Sequence, residues 1–433
     1  MVRLKISMLI KIWKKNKILL SATLLVIAII LGSIFLLKNF SIKFNVSPRT
    51  KAQESFTSTT QFSQIDPKDI PASNLNFEDV KKYLESLANK KGARYAFAIM
   101  KQMQPGPNID MHLLGHAVGD ILYKQEGSNG ITDCDNDFRN ACSHTIVIGL
   151  FYDKGDGALS EIAAACRKAP GGSGAYTMCF HGLGHGVLSY EGYDMAKAAA
   201  MCQKTGTKEY NYQEGSQCIG GMIMEIVDGG GHNHDLWAKE RVKYLDPKHP
   251  TALCENSYFP ESSKFFCYEY ITPYLFEAAG AQPGNPTASD FKKAFNFCKQ
   301  VVNISSRNTC YGGFGKEFVG IQQSRDIRIA SIAKISNESL KQVYDWCLLA
   351  ADKNGSAACI VDSANNLYWG GENDFHISLR LCAQVSDEYN RKSCYYSLIQ
   401  SANYYSKDQG YKEEFCSALP QNYTEDCKKR LGL

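Results

Sequence analysis

Residues 179–186 read CFHGLGHG, two histidines four apart within a run that holds three glycines. Residues i and i+4 of a helix are neighbours, about 5–6 Å apart at Cβ, so His181 and His185 would share one helix face. The same spacing recurs at His112 and His116, and His144 stands two places after Cys142 just as His181 stands two after Cys179. When the segments are aligned on these cysteines, with Asp110 in the cysteine's place in the first, five of the nine histidines fall at equivalent positions of three consecutive segments. The next segment carries Gly220 and Met224 there, and no later one has histidine at those places.

Imidazole is a suitable ligand for zinc, copper and iron. The pattern therefore predicts a divalent transition-metal site with His112, His116, His144, His181 and His185 as ligands. Asp120, one turn beyond His116, and Glu191 are the candidate catalytic bases, and Glu225 lies within range as ligand or orienting partner. If the protein is an enzyme, metal-assisted hydrolysis is the expected class. Glycines 115, 182, 184 and 186 are expected to let neighbouring helix backbones approach closely.

Two other readings compete. The run can be a packing seam without chemistry. If the helices begin at the cysteines, the histidines sit in first turns, where the positive end of the helix dipole disfavours a cation and suits a phosphate or carboxylate. His232 and His234 form an HxH in a glycine-rich stretch that reads as a polar loop. HExxH, Walker A, GxSxG, CxxC and CxxCH motifs are absent from the sequence.

The elements that would position these residues follow from the cysteines. They stand at Cys134, Cys142, Cys166, Cys179, Cys202, Cys218, Cys254, Cys267, Cys298, Cys310, Cys347, Cys359, Cys382, Cys394, Cys416 and Cys427. Taken as sequential neighbours they form eight couples separated by 8, 13, 16, 13, 12, 12, 12 and 11 positions. Such regularity marks stacked repeats. After each couple comes an apolar, glycine-containing run such as CIGGMIMEIVDG or CYGGFGKEFVG, here helix A. A turn follows, then a shorter amphipathic run such as DMAKAAAMC or DFKKAFNFC, here helix B. The predicted fold is all-α, a series of α/α hairpin repeats stapled by sequential disulfides. Residues 77–104 and IDMHLLGHAVGDILYKQ supply a first hairpin without cysteines, and the stretch from Val227 to Pro250 is an insertion expected to project from the stack. The arrangement is similar in architecture to tetratricopeptide and Sel1-like repeats, and DMAKAAAMCQK looks like a Sel1-like second helix. The signature residues of neither family recur through successive repeats, so the likeness implies no function.

The remaining organisation is read from composition. Ile18 to Leu37 contains no charged residue and suffices to span a bilayer as a helix. Six basic residues within 1–17 predict a cytoplasmic flank and an uncleaved signal anchor. Residues 38–76 read as a Ser/Thr-rich flexible stalk and 77–433 as an extracytoplasmic repeat domain at the cell membrane, where disulfides persist. Fully paired thiols leave no cysteine nucleophile. Forty-eight basic against 44 acidic residues give a net charge of +4, without the basic stripe that nucleic acid requires. Asn303, Asn337 and Asn422 lie in glycosylation sequons. The alternative to a metal site is a non-catalytic binding or scaffold module whose repeat surface takes a protein, a glycan or an anionic small molecule.

Overall fold

A computed structural model gives the arrangement of residues 65–103, 111–134, 140–170, 172–229, 233–282, 286–322, 335–370, 374–406 and 408–433. The basic flank, the segment 18–37 expected to cross the membrane, most of the stalk and His232 lie outside these residues. Among the described residues no helix is long and apolar enough to cross a membrane.

The described chain is all-helical, without a strand. In order, the helices are α1 (Phe77–Lys91), α2 (Ala93–Gln102), α3 (Met111–Glu126), α4 (Ala141–Lys154), α5 (Leu159–Cys166), α6 (Gly172–Tyr190), α7 (Met195–Gln203), α8 (Gln213–Asp228) and α9 (His234–Arg241). They continue as α10 (Lys264–Tyr270), α11 (Thr272–Ala278), α12 (Ala288–Lys299), α13 (Ile304–Gln322), α14 (Asn337–Leu348), α15 (Lys353–Gly370), α16 (Phe375–Gln384), α17 (Glu388–Tyr405), α18 (Gln409–Ala418) and α19 (Gln421–Leu431).

Five of the short helices open on side-chain caps. Asp194, Thr287, Ser336, Asp374 and Asp408 each accept a hydrogen bond from a backbone amide in the first turn of α7, α12, α14, α16 and α18, which satisfies donors the helix itself cannot. Among the long helices, α17 opens on Asp387, which accepts from the Asn390 amide, whereas α6 and α13 lie between neighbours and are apolar or glycine-rich on more than one face. Helices pack side by side in the succession α3, α4, α6, α8, α10, α13, α15, α17, all long except the seven-residue α10, and α17 then comes back against α6. At that return the Tyr404 hydroxyl donates to Gln213 Oε1 at 3.2 Å and lies 3.4 Å from Thr177 Oγ1. The Tyr405 ring occupies the space a Cβ on Gly174 would take.

All eight disulfides join sequential neighbours, with Cα–Cα distances from 5.2 to 5.8 Å, and no described cysteine is free. Every one of the sixteen is buried. The Cys298–Cys310 bridge closes a separation of 12 residues, and a loop of this length constrains the unfolded chain by about 3 kcal/mol. Replacing both residues by serine is expected to lower stability by that order, read as a fall in the urea midpoint under non-reducing conditions.

Several details differ from the sequence reading. Residues 77–104 are not one helix: at Gly92 the backbone takes φ +94°, ending α1 and starting α2 at an angle. The helix expected after Cys267 breaks into α10 and α11 at Ile271, because Pro273 has no amide to continue the ladder. Part of the stretch counted as stalk is docked. Ile65, Ile70 and Leu75 pack on the core, and Asp69 accepts from Tyr95 Oη at 2.6 Å and from Lys91 Nζ at 2.5 Å. The insertion folds back rather than projecting: the indole of Trp237 on α9 donates to the Ile226 carbonyl at 3.0 Å, and Arg241 donates to the Val227 carbonyl at 3.2 Å.

Candidate functional site

The inner faces of the long helices enclose a cavity of about 1650 Å³. Its wall is written in the sequence at fixed offsets from the second cysteine of each couple. Two, three, six and seven places on come His144, Thr145, Ile148 and Gly149 from α4, then Lys316 from α13 and Asp362, Asn365 and Asn366 from α15. These offsets trace one face of a helix.

All five expected histidines line this cavity. His112 and His116 come from α3, His144 from α4, and His181 and His185 from α6. Ring centroids are 4.6 Å apart for His112–His116 and 5.3 Å for His181–His185. His144 lies between the two pairs, 6.4 and 6.2 Å from the first and 5.8 and 6.3 Å from the second. Glycine makes the approach possible: a Cβ on Gly182 would fall closer than 3.0 Å to the His144 ring and Cα, and one on Gly184 closer than 3.0 Å to the Cys218 carbonyl and the Met222 amide. The run CFHGLGHG divides by residue: Gly182 and Gly186 face α4, Gly184 faces α8, and the two histidines line the cavity.

Second partners orient the outer rings. The Thr145 hydroxyl donates to the Ala141 carbonyl at 3.0 Å, so its lone pairs accept from His116 Nδ1–H at 2.7 Å. That leaves His116 Nε2 as a lone pair, 3.1 Å from His112 Nε2. His185 Nδ1 lies 3.0 Å from Glu225 Oε2, and Tyr193 Oη donates to the other carboxylate oxygen at 3.0 Å. Glu225 is itself buried, which is the arrangement that holds a ligating imidazole by its far nitrogen.

The central rings have no such partner. His144 and His181 are 5% and 3% exposed, and His144 Nε2 and His181 Nδ1 are buried without a hydrogen bond. Burial, followed by the neighbouring imidazoles, holds His144 well below the usual histidine range. Burial, then His185, Lys316 and His112, does the same to His181. Both are neutral at pH 7, the form that donates a lone pair. Among the described residues no three His, Cys, Asp or Glu side chains already form a cradle at ligand distance.

The dipole objection weakens in the structure. α6 begins at Gly172, more than a turn ahead of Cys179. His181 and His185 therefore lie in the body of α6, and only His112 and His144 remain in a first turn. The cavity wall also carries seven acidic side chains against three lysines, although burial holds two of the seven, Glu269 and Asp362, toward their neutral form.

The two expected bases separate. Asp120 lines the cavity and pairs with Lys124 at 2.5 Å. Glu191 does not line it: the residue sits in the turn after α6, its amide donating to the Val187 carbonyl. The carboxylate that reaches an imidazole is Glu225, on the next long helix. His234 is on exposed α9, 5.4 Å from the Trp237 ring and away from the cavity wall.

The opposite wall was not anticipated. Glu269, Lys316 and Asp362 face the cavity from α10, α13 and α15. Burial raises the Glu269 carboxyl against the opposing pull of Lys316. Burial, then Glu269, pushes Asp362 well above the carboxylate range. The Lys316 ammonium sits over the Tyr270 ring at 4.6 Å, and that ring is 4.9 Å from His181. The signal was present at the same offsets: Glu269 is two places after Cys267, Lys316 six after Cys310 and Asp362 three after Cys359. A pattern sought in histidine alone passes over them. The chain matches no family model, no curated protein and no solved structure, so the chemistry of this cavity rests on its own residues.

Proposed function

We propose that the protein is a membrane-anchored, extracytoplasmic helical-repeat protein whose imidazole row binds a divalent transition metal: zinc, iron or copper. The observation that carries this reading is the pair of buried, unpartnered nitrogens on His144 and His181, set among rings already oriented by Thr145 and Glu225. An unpartnered polar atom in a protein interior costs about 1–3 kcal/mol, a cost that a ligand removes. When bound, the metal supplies a Lewis acid suited to hydrolysis. Asp120 is the carboxylate placed on the same wall to hold a proton, and Glu225 keeps the His185 ring in one tautomer.

The runner-up is a binding module, and the cavity itself favours it: about 1650 Å³ is far more than an ion needs and exceeds the roughly 300–1,000 Å³ that takes a small organic ligand. The acidic excess on its wall points away from the anionic ligand considered first.

The test is metal uptake by protein made in an oxidising compartment, stripped with chelator and offered zinc, iron(II) or copper(II). At least one tightly held equivalent is expected by elemental analysis, with a drop of tenfold or more in affinity for His116→Ala. Stripped protein that takes up none of the three ends the metal reading and leaves the binding module.

A further inference from the structure

We infer that the wall opposite the imidazoles, built by α10, α13 and α15 with the end of α17, is a binding site for a neutral oligosaccharide. The site stands apart from the metal reading, since none of its side chains belongs to the imidazole row.

Close backbone approaches along α13 assemble this wall. A Cβ on Gly313 would meet the Glu269 carbonyl of α10, one on Gly315 the Cys359 carbonyl of α15, and one on Gly312 the Asp362 carboxylate, each closer than 3.0 Å. Glu269, Lys316 and Asp362 thereby face one cavity from three adjacent helices. From α17 the Ser401 hydroxyl donates to Asn365 Oδ1 at 2.9 Å, and both side chains line the same cavity. Gln217 joins them from α8. It stands one turn beyond Gln213, which accepts from Tyr404 of α17, and its Oε1 is buried with no hydrogen-bond partner. An acceptor left in that state is costly in a protein interior, and a ligand hydroxyl would satisfy it.

These groups select a ligand by exclusion. A cation would meet Lys316, and an anion would meet two carboxyls and an ammonium already paired with Glu317 at 3.1 Å. Burial holds both carboxyls toward the neutral form, in which each donates and accepts, as an amide or a hydroxyl also does. Sugar hydroxyls have the same double character, so one pyranose can pair with several of these side chains at once. The wall also offers a flat apolar face. The Phe266 and Tyr270 rings lie 6.3 Å apart and 21° from parallel, and both line the cavity; the C–H face of a sugar ring packs on such surfaces. Size favours a chain of sugars over one: about 1650 Å³ exceeds the roughly 300–1,000 Å³ that takes a small organic ligand.

The experiment is isothermal titration calorimetry of the full chain, with its disulfides formed and chelator present, against cellotetraose, maltotetraose and tetra-N-acetylchitotetraose. At least one should bind saturably with a Kd of about 1 mM or tighter. Two charged tetramers, deacetylated chitotetraose and tetragalacturonate, should bind about tenfold more weakly or not at all. Gln217→Leu should unfold at a urea midpoint no lower than the parent's, because it removes an unpaired buried acceptor, yet weaken binding about tenfold. Lys316→Met should weaken it as much, and decides alone if Gln217→Leu does not fold. Binding of none of the three neutral tetramers overturns the inference. So does affinity that either folded variant leaves unchanged, or a charged tetramer held more tightly than every neutral one. Each of these results leaves the metal reading standing, since metal uptake is measured separately.

Discussion

Gly184→Ala should lose about 3 kcal/mol of stability or more, together with the proposed metal binding. The added Cβ would fall closer than 3.0 Å to the carbonyl oxygen of Cys218 and the amide of Met222, both backbone atoms. Overpacking against a flexible side chain costs about 1–3 kcal/mol, but here the obstacle is the body of α8 and no rotamer relieves it. Gly221, on α8, makes the reciprocal approach, with its Cβ direction aimed at the His181 carbonyl. The two helices would have to separate, taking His185 away from Glu225. Urea unfolding measures the first effect and zinc uptake the second. Gly157→Ala is the control: a Cβ there meets nothing within 4 Å, and the change should stay within about 0.5 kcal/mol of the parent. Equal stability of the two variants would mean that the α6–α8 seam is not this tight.

Acid should weaken the metal-free protein steeply below about pH 6.5, the ordinary histidine value. In the folded state burial keeps His144 and His181 neutral, so their folded values lie well below the unfolded one. Between those values the unfolded chain binds protons that the native chain refuses, and stability falls as pH falls; above the unfolded value this contribution no longer changes. Each such group contributes about 1.4 kcal/mol per pH unit, so the two together approach 3 kcal/mol per unit. Unfolding free energies at pH 7, 6 and 5 give the slope. His144→Leu should roughly halve it, and saturating zinc should move the fall to lower pH, since metal and proton compete for the same lone pairs. A flat profile across this range would show that the two imidazoles can be protonated in place.

How much of this could be read beforehand depended on distance along the chain. The eight bridges lie within 8 to 16 residues in sequence, and they join the sequential neighbours that the regular spacing pointed to. The i, i+4 pairs at His112–His116 and His181–His185 are local in the same sense, and so are the glycines between them. Helix starts were less legible: α6 and α8 begin well before their cysteines because burial between neighbours, rather than a capping residue, extends them. The base candidates show the limit most clearly. Glu191 is close to His185 in sequence but leaves the cavity once α6 ends, whereas Glu225, 40 residues from His185, arrives on the adjacent helix.

The sequence by itself determined the helical period, the cysteine couples and the positions of histidine within each segment, because these depend on neighbours within a turn or two and on short disulfide loops. Only the tertiary structure decided that α17 returns to α6, that Glu269, Lys316 and Asp362 share a cavity with the imidazoles, and that His144 lies between two pairs. Those outcomes are set by how closely one long helix seats against the next. That seating depends on backbone approaches at Gly182, Gly184, Gly221, Gly313 and Gly315, where the atom in the way belongs to another segment and so leaves no mark in the local pattern.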